Sequence, residues 1–241
     1  MSQLSAIIIG ANAGLSQTLA RKLAAEGVRL GLLAADRPAL QPLLDQLPDT
    51  TLCNEIDIFD PDQCRQALDQ LWQQLEGAQL VIINTAANHQ DLDLPWLADK
   101  MVVDVNVTGF TALANAAFAR FRQQKYGQLA AITSIAGERG GASSAFHASK
   151  AYQQNYLQGL RLHAQRLKLP VTVSDLRLGY IDKMQARGSK TWGASLEVVA
   201  DQILANLKKA KATSYVTRRW RLVSWIGRLL PEFIYNKRKY R

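Results

Sequence analysis

The sequence has few cysteines, no long uncharged apolar run and no low-complexity segment. Its only cysteines are Cys53 and Cys64. Two cysteines are too few for the disulfide framework of a small secreted protein, so we expect reduced thiols and a cytoplasmic location. No stretch approaches the roughly 18 uncharged apolar residues that a membrane-crossing helix requires. The first ten residues lack the basic start and the long apolar core of a secretory signal peptide, so none is expected.

The positive charge of the sequence is concentrated in one segment. The 241 residues carry a net charge of +9. From residue 208 onward there are 11 basic residues and one acidic residue, so this segment carries +10 and the remainder carries −1. A neutral body does not have the electrostatic character of a nucleic-acid-binding fold. We therefore expect no nucleic-acid partner.

Short apolar runs alternate with amphipathic helical patterns along residues 4–217. The runs are rich in Ile, Leu and Val, which is typical of strands buried on both faces of a parallel sheet. Strand–helix alternation predicts a single doubly wound, Rossmann-like α/β domain, in which helices flank a parallel seven-stranded sheet. The predicted strands are 4–9, 28–34, 52–58, 80–83, 129–134, 171–178 and 214–216, and the predicted helices are 15–26, 38–47, 61–75, 95–121, 145–167 and 196–207.

A glycine-containing turn joins the first predicted strand to the first predicted helix. Gly10 and Gly14 are four positions apart, with Asn12 midway between them and Leu15 directly after. Backbone N–H groups at a helix start can hold a pyrophosphate, and glycine permits a close approach. By itself, this turn fits a dinucleotide site and an ordinary structural turn about equally well.

Six further segments occur in a recognisable order. They are Asp-Ile at 57–58, Asn-Thr-Ala-Ala at 84–87, Asn-Val-Thr-Gly at 106–109, Ile-Thr-Ser-Ile-Ala-Gly at 132–137, Ala-Ser-Lys at 148–150 and Leu-Gly-Tyr-Ile-Asp at 178–182. With the glycine turn, they resemble the motifs of the short-chain dehydrogenase/reductase family over residues 4–217. Each motif alone is weak, but seven in this order on the expected elements are a strong resemblance.

The resemblance implies an NAD(P)-dependent oxidoreductase that acts on a carbonyl or alcohol. In the family pattern, Asn106 organises a proton-relay water, Ser134 holds the substrate oxygen and Lys150 binds the nicotinamide ribose. No metal is implied. The residues implied to contact the cofactor are Gly10, Asn12, Gly14, Leu15, Arg37, Asp57, Ile58, Asn84, Ala86, Lys150, Gly179 and Ile181.

The sequence departs from the family pattern four residues before Lys150, where Phe146 replaces the family's tyrosine. That tyrosine protonates the developing alkoxide, with its pKa lowered from about 10 by the lysine ammonium and the cofactor. Phenylalanine has no exchangeable proton, and losing a positioned general acid costs about 10²–10⁴ in rate. We therefore expect weak or unconventional proton transfer. The alternative is a catalytically impaired pseudoenzyme that binds nucleotide, as a cofactor sensor or a membrane-associated partner.

Other residues near this position offer a proton less directly. His147 lies about 100° around the helix from position 146, so it should face elsewhere. Tyr152 and Tyr156 lie off the face of Lys150. Tyr180 follows the sixth strand and is the best-placed phenol, although a loop aromatic is the simpler interpretation. Ser16 also departs from the pattern, because the family prefers glycine there.

The cofactor preference is open between NADP and NAD. An acid at the end of the second strand would favour NAD, and a base would favour NADP. Ala34 and Ala35 occupy those positions, and Asp36 and Arg37 follow them. Because no acid stands at the first position, the sequence leans slightly to NADP.

Residues 218–241 form a basic amphipathic extension. The spacing of its apolar residues predicts a helix with one apolar stripe, off which Arg221 and Arg228 lie. A tryptophan-bearing face beside arginines suits a membrane surface with anionic headgroups, and the alternatives are packing on the domain and a dimer contact. We also expect a small, apolar substrate, a homo-oligomer built through 95–121 and 145–168, and a peripheral position at the inner face of a membrane. The stripe consists of Leu222, Trp225, Ile226, Leu229 and Leu230.

Overall fold

All strands of the protein join one parallel sheet in a computed structural model, which describes residues 4–90, 93–180 and 193–235. The strands are β1 (Ser5–Ile9), β2 (Arg29–Ala34), β3 (Leu52–Glu55), β4 (Leu80–Ile83), β5 (Gly127–Ser134), β6 (Val171–Leu178) and β7 (Thr213–Val216). They pair in the order β3-β2-β1-β4-β5-β6-β7. The predicted seven-stranded, doubly wound fold is confirmed. The strand order reverses between β1 and β4, where sheets of this class form a ligand crevice at their carboxyl ends.

Helices cover both faces of this sheet, and β1 to β6 each contribute side chains to both cores. In β1, Ile7 and Ile9 face one core, whereas Ala6 and Ile8 face the other, since alternate side chains of a strand point to opposite faces. The helices are α1 (Gly14–Ala25), α2 (Gln41–Leu44), α3 (Pro61–Gln74), α4 (Trp96–Val103), α5 (Phe110–Gln124), α6 (Ser144–Arg166), α7 (Leu196–Lys208), α8 (Trp220–Leu229) and α9 (Glu232–Tyr235). The first core lies under α3, α5 and α6, and the second under α1, α2 and α7.

Two predicted elements are shorter than expected. The helix predicted over 38–47 is instead a 3₁₀ turn at Pro38–Leu40 followed by the four-residue α2. Pro42 has no N–H to donate to the Pro38 carbonyl, so the 3₁₀ turn and α2 do not merge into one regular helix. The strand predicted over 52–58 ends at Glu55, because Asp57 accepts the N–H of Phe59 and turns the chain toward α3.

The helix predicted over 95–121 runs from Trp96 to Gln124 in three parts. A π-helical turn at Asp104–Gly109 separates α4 from α5, where β-branched residues disfavour regular helix. By length and composition alone this helix could cross a membrane, but 61% of its most apolar 18-residue window is buried inside the protein. That burial is typical of a core helix in a globular domain.

Candidate active site

The predicted cofactor and catalytic residues within the described ranges collect at the carboxyl edge of the sheet. Most of them lie just after the carboxyl ends of β1, β2, β3, β4 and β6. One is the last residue of β5, and the others reach this edge from the π turn and from α6. Ile181 lies outside the described residues. The residues at this edge are Gly10, Asn12, Gly14, Leu15, Arg37, Asp57, Ile58, Asn84, Ala86, Asn106, Ser134, Lys150 and Gly179.

Gly10 is required by the close approach of β1 to β4. Its φ is +81°, and a Cβ there would lie 2.3 Å from the carbonyl oxygen of Asn84. The N–H groups of Gly10 and Ala11 both donate to Leu33 O at 3.0 Å. The glycine therefore joins the ends of three neighbouring strands beneath the crevice.

Helix α1 begins at Gly14, shortly after Gly10 in the sequence. Its N-cap residue, Ala13, has no side-chain group that could cap the helix, so the first N–H groups, at Gly14, Leu15 and Ser16, point past the helix end. The Leu15 side chain is buried in the core, which leaves its backbone N–H as its contribution to this end. Such a terminus carries partial positive charge and suits a pyrophosphate.

The side chain of Asn12 is engaged in holding the loop after β2. Its Oδ1 accepts the N–H groups of Ala35 at 2.9 Å and Asp36 at 3.2 Å, and its Nδ2 donates to Asp36 O at 2.7 Å. Asp36 Oδ1 in turn accepts the N–H of Ala39 at 2.8 Å. Arg37 is exposed in this loop and forms no ion pair with any residue the structure describes.

Asp57 and Ile58 lie on the predicted adenine side of the site. Asp57 is exposed, and its Oδ1 accepts the N–H of Phe59 at 2.9 Å. Ile58 lies against the π turn, where a Cβ on Gly109 would come within 2.7 Å of the Ile58 carbonyl oxygen. The absence of a side chain at Gly109 thus lets the long helix approach the end of β3.

Ser16 and Asn84 bind each other across the crevice floor. Asn84 Nδ2 donates to Ser16 Oγ at 2.8 Å, and Ser16 is buried. The serine that departs from the family pattern therefore ties α1 to the end of β4. Ala86, two residues beyond Asn84, is exposed beside this pair.

Asn106 sits in the π turn and ties three elements together. Its Oδ1 accepts the N–H of Ala87 at 2.8 Å, and its Nδ2 donates to Ala87 O at 2.8 Å and to Ser149 Oγ at 3.0 Å. A π turn interrupts the regular i→i−4 ladder, and the backbone carbonyl of Asn106 accepts from Gln153 Nε2 at 2.9 Å. The asparagine is fully buried.

Lys150 and Gln153 form a buried pair on α6. Lys150 Nζ donates to Gln153 Oε1 at 2.9 Å, and both residues are at most 2% exposed. The Gln153 carboxamide therefore bridges the Lys150 ammonium to the Asn106 carbonyl. Burial lowers the pKa of Lys150 to about 8, and the Asp175 carboxylate opposes this shift. The ammonium form persists at neutral pH.

This lowered pKa predicts a pH-dependent stability. In the unfolded chain the lysine pKa is about 10.4, so between about pH 8 and 10 the unfolded chain binds more protons than the folded protein. The free energy of unfolding therefore rises with pH in this window. We expect this rise to be smaller in Lys150→Met, as measured by urea unfolding at each pH. Equal slopes for the two proteins would contradict the assignment.

Ser134 is placed to present a hydroxyl to the crevice. Its Oγ accepts the N–H of Ala136 at 3.1 Å, and its carbonyl accepts Gln154 Nε2 at 2.7 Å. Because the Oγ acts as an acceptor toward the backbone, its own O–H remains able to donate to a substrate oxygen.

Phe146 is half-buried next to Lys150. Its ring centroid lies 5.7 Å from Lys150 Nζ. His147 faces elsewhere: its Nδ1 lies 2.9 Å from the Ser143 carbonyl oxygen, and its ring packs so closely on Gly141 that a Cβ there would be 2.3 Å from Nε2. The His147 ring also meets the Phe146 ring edge-on, with 6.0 Å between the centroids, so His147 lies beside position 146 while its polar atoms are turned toward Ser143 and Gly141.

The neighbouring tyrosines have other partners. Tyr152 Oη shares a 2.8 Å hydrogen bond with Thr111 Oγ1, and its ring stacks on Tyr156 at 5.8 Å. Tyr180 is 58% exposed and packs edge-on against Trp220, with 5.2 Å between the ring centroids. Both arrangements turn these phenols toward contacts outside the Lys150 pair.

Gly179 accommodates the start of the C-terminal extension. A Cβ at this position would lie 2.1 Å from the Trp220 ring, and the Gly179 N–H donates to Val216 O at 2.8 Å. Trp220 is 4% exposed. The extension therefore packs directly on the loop after β6.

A charged network lies behind the site. Asp175 is fully buried, accepts Thr133 Oγ1 at 2.5 Å and pairs with Arg177 Nε at 2.7 Å. Arg177 also pairs with Glu138, which Arg228 of α8 approaches at 3.4 Å. The network connects β5, β6 and α8 beside Lys150.

Several of these residues were missed by the motif comparison. One feature of the sequence could have indicated Gln153. It lies three positions after Lys150, so the two side chains share one face of the helix. Asp175 and Arg177 lie in a strand whose apolar pattern predicted only core. The contact of Trp220 with Gly179 gave no sequence signal, because the two residues lie in separate segments with no shared pattern.

Known proteins are similar to this chain over most of its length. A family model for short chain dehydrogenases matches residues 5–192. An uncharacterized oxidoreductase of Myxococcus xanthus is 32% identical over 178 residues, covering 71% of this chain and 70% of the relative. One of Mycobacterium tuberculosis is 30% identical over 197 residues, covering 77% and 76%. The crystal structure of a short-chain dehydrogenase from Streptomyces avermitilis superimposes with a TM-score of 0.80 at 16% identity, covering 95% of each chain, which supports the fold.

Proposed function

This chain belongs to the short-chain dehydrogenase family of NAD(P)-dependent oxidoreductases, and we propose that it reduces a carbonyl or oxidises an alcohol with weak proton transfer. The observation that carries this proposal is the linkage of Asn106 to Lys150 through Gln153 at the sheet edge that also holds the glycine turn. Ser134 ends β5 at the same edge. The position of Asn106, Ser134 and Lys150 at one edge of the sheet supports the proposal.

The residues at this edge fit a dinucleotide. The uncapped N-terminus of α1 would hold the pyrophosphate, and Gly10 lets that turn lie close to β4. Lys150 uses one of its three N–H bonds on Gln153, which leaves two for ribose hydroxyls. A bound nicotinamide supplies or accepts the hydride.

The chain's own residues would handle the substrate oxygen. Ser134 would donate its O–H to that oxygen, because its Oγ already accepts the N–H of Ala136. Phe146 excludes water from one side of the Lys150 pair but provides no proton. The proton must then come from solvent, so turnover is expected to be slow.

A second candidate function is a nucleotide-binding pseudoenzyme that senses the cofactor. Phe146 and Gln153 together favour it, since the Gln153 carboxamide occupies the link between Lys150 and the Asn106 carbonyl. In the family pattern Asn106 organises a proton-relay water. An amide that holds this link does not pass a proton as a water does.

Arg37 favours NADP over NAD. It is exposed and forms no ion pair with the described residues, whereas the Asp36 carboxylate caps a turn. A charge-assisted hydrogen bond to a 2′-phosphate contributes about 1.5–3 kcal/mol. We therefore expect Arg37→Gln to weaken NADPH binding about tenfold to a hundredfold and NADH binding less than about twofold, as measured by tryptophan fluorescence titration.

Arg65→Gln is the matched control, because Arg65 is an exposed arginine on α3, and it should leave both affinities unchanged. The unmodified chain should bind NADPH more tightly than NADH. Equal loss of both cofactors in Arg37→Gln would contradict the NADP preference. Absence of binding to either cofactor up to about millimolar, about −4 kcal/mol, would contradict both candidate functions.

An apolar, small-molecule substrate and a homo-oligomer complete the proposal. Trp96, Leu97 and Val103 on α4 are all more than two-fifths exposed, and Tyr152 on α6 is 37% exposed. Large apolar residues on these two helices suit the oligomer contact expected from 95–121 and 145–168. We place the protein in the cytoplasm, peripheral to the inner face of a membrane through its extension.

A further inference from the structure

The C-terminal helix α8 is fixed to the domain on one side. Trp220 and Ser224 on that side are buried. Arg139 Nη1 donates to the carbonyls of Gly227 and Leu230, and its guanidinium lies 4.2 Å above the Tyr235 ring. These contacts set which face of α8 is turned outward.

The outward face carries four of the five residues of the predicted apolar stripe and continues into α9, whereas the fifth, Leu230, is half-buried. Each large side chain on it is between 44% and 68% exposed, so the stripe does not pack on its own domain. Such a face remains in contact with water unless a partner covers it. The exposed residues are Leu222, Trp225, Ile226, Leu229, Phe233 and Ile234.

A cationic groove of about 940 Å³ runs between β7 and α8, and Leu222 and Trp225 of the apolar face also line it. Its basic residues are Lys211, Arg218 and Arg221, which are exposed and form no ion pair within the described part of the chain.

A buried polar atom borders the same groove. Ser214 is 5% exposed, and its Oγ has no hydrogen-bond partner among the described residues. The groove therefore combines three unpaired cations, an unused hydroxyl and an apolar rim. An anionic group with an apolar tail matches this combination.

We propose that α8 lies in the surface of a membrane that contains anionic lipids, with its apolar face at the acyl boundary and a lipid phosphate in the groove. This inference rests on, and deepens, the membrane-associated part of the proposed function. A second copy fits the face less well, because a two-fold contact would bring two copies of the same basic groove to one interface, where like charges repel. An apolar protein partner would bury the same cations without a counter-charge.

The contacts that hold α8 on the domain also connect this surface to the candidate active site. Trp220 begins α8 and packs on Gly179 in the loop after β6. Arg228 of the same helix approaches Glu138 directly after β5. A membrane-bound α8 would therefore hold the ends of β5 and β6 near the lipid surface, where an apolar substrate is concentrated.

Co-sedimentation of the full chain with vesicles tests the proposal. We expect at least about tenfold tighter binding to phosphatidylcholine vesicles that contain phosphatidylglycerol than to phosphatidylcholine alone, because basic residues are drawn to anionic leaflets. Replacement of Lys211, Arg218 and Arg221 by glutamine should remove about tenfold of that preference. The matched control replaces the exposed Arg65, Arg122 and Lys125 by glutamine and should retain it.

A second variant, Trp225→Ser with Leu229→Ser, tests the apolar face. It should lose binding to both kinds of vesicle, and unmodified protein should show a blue-shifted Trp225 fluorescence component that Trp225→Phe lacks. Equal binding by the groove variant and its control would overturn the headgroup site. Loss of a dimer in the serine variant, without vesicle binding by the unmodified chain, would overturn the membrane surface in favour of a second copy.

Two further measurements distinguish a lipid phosphate from free phosphate in the groove, and failure of this inference from failure of the proposed function. Inorganic phosphate that binds the unmodified chain at low millimolar concentration but does not bind the groove variant, with no vesicle binding by the unmodified chain, would identify free phosphate as the groove's ligand and overturn the lipid assignment. NADPH titration of the groove variant should match that of the unmodified chain. Retained cofactor binding with absent vesicle binding would reject this inference alone and leave the proposed oxidoreductase standing.

Discussion

Phe146→Tyr should raise the turnover of this protein about 10²–10⁴-fold, the usual contribution of a positioned general acid. A phenol at position 146 would place an exchangeable proton beside the Lys150 ammonium, whose Nζ lies 5.7 Å from the present ring centroid. The nearby positive charge would lower the phenol pKa from about 10. We would measure the loss of NADPH absorbance with decanal and with acetophenone as probe substrates.

Two companion variants make this result interpretable. Phe146→Leu keeps an apolar side chain without a phenol and should show no gain. Phe146→Tyr combined with Lys150→Met should lose most of the gain, because the phenol pKa would then stay high. Undiminished NADPH binding with no increase in turnover for Phe146→Tyr would favour the pseudoenzyme, in which the Gln153 bridge also blocks proton transfer.

Much of the fold could be predicted because the parallel strands are buried on both faces. Runs such as Leu80–Ile83 read as strands without knowledge of their partners. The deviations have local causes that a hydrophobic pattern does not show. Pro42 interrupts the predicted second helix near its start, and the β-branched stretch around Asn106 adopts a π turn inside the predicted long helix.

The candidate site could be predicted only as far as its motifs extend. The positions of Asn106, Ser134 and Lys150 followed from motif order. The Gln153 bridge could not be predicted, because it depends on a carbonyl 47 residues away. The docking of Trp220 on Gly179 likewise joins segments that are separate in sequence, and local periodicity contains no information about such contacts.

Gly10→Ala should abolish measurable cofactor binding and destabilise the fold. The added Cβ would lie 2.3 Å from a backbone oxygen of Asn84, so β1 and β4 must separate at the crevice floor. Overpacking of this kind lowers the free energy of unfolding by about 1–3 kcal/mol. Placing a residue with a Cβ in the left-handed conformation lowers it by about another 1–2 kcal/mol. NADPH titration and urea unfolding would measure the two effects.

Gly27→Ala separates steric collision from backbone strain. Gly27 has nearly the same φ, +78° against +81° for Gly10, but an added Cβ there meets nothing within 4 Å. We expect it to cost about 1–2 kcal/mol from the left-handed backbone alone, with NADPH affinity unchanged. If both variants lost the same stability and both still bound NADPH, the contact between Gly10 and Asn84 would not shape the cofactor site. A larger loss of stability in Gly10→Ala, together with lost binding, would show that the close approach of β1 to β4 is what positions the α1 N-terminus for the dinucleotide.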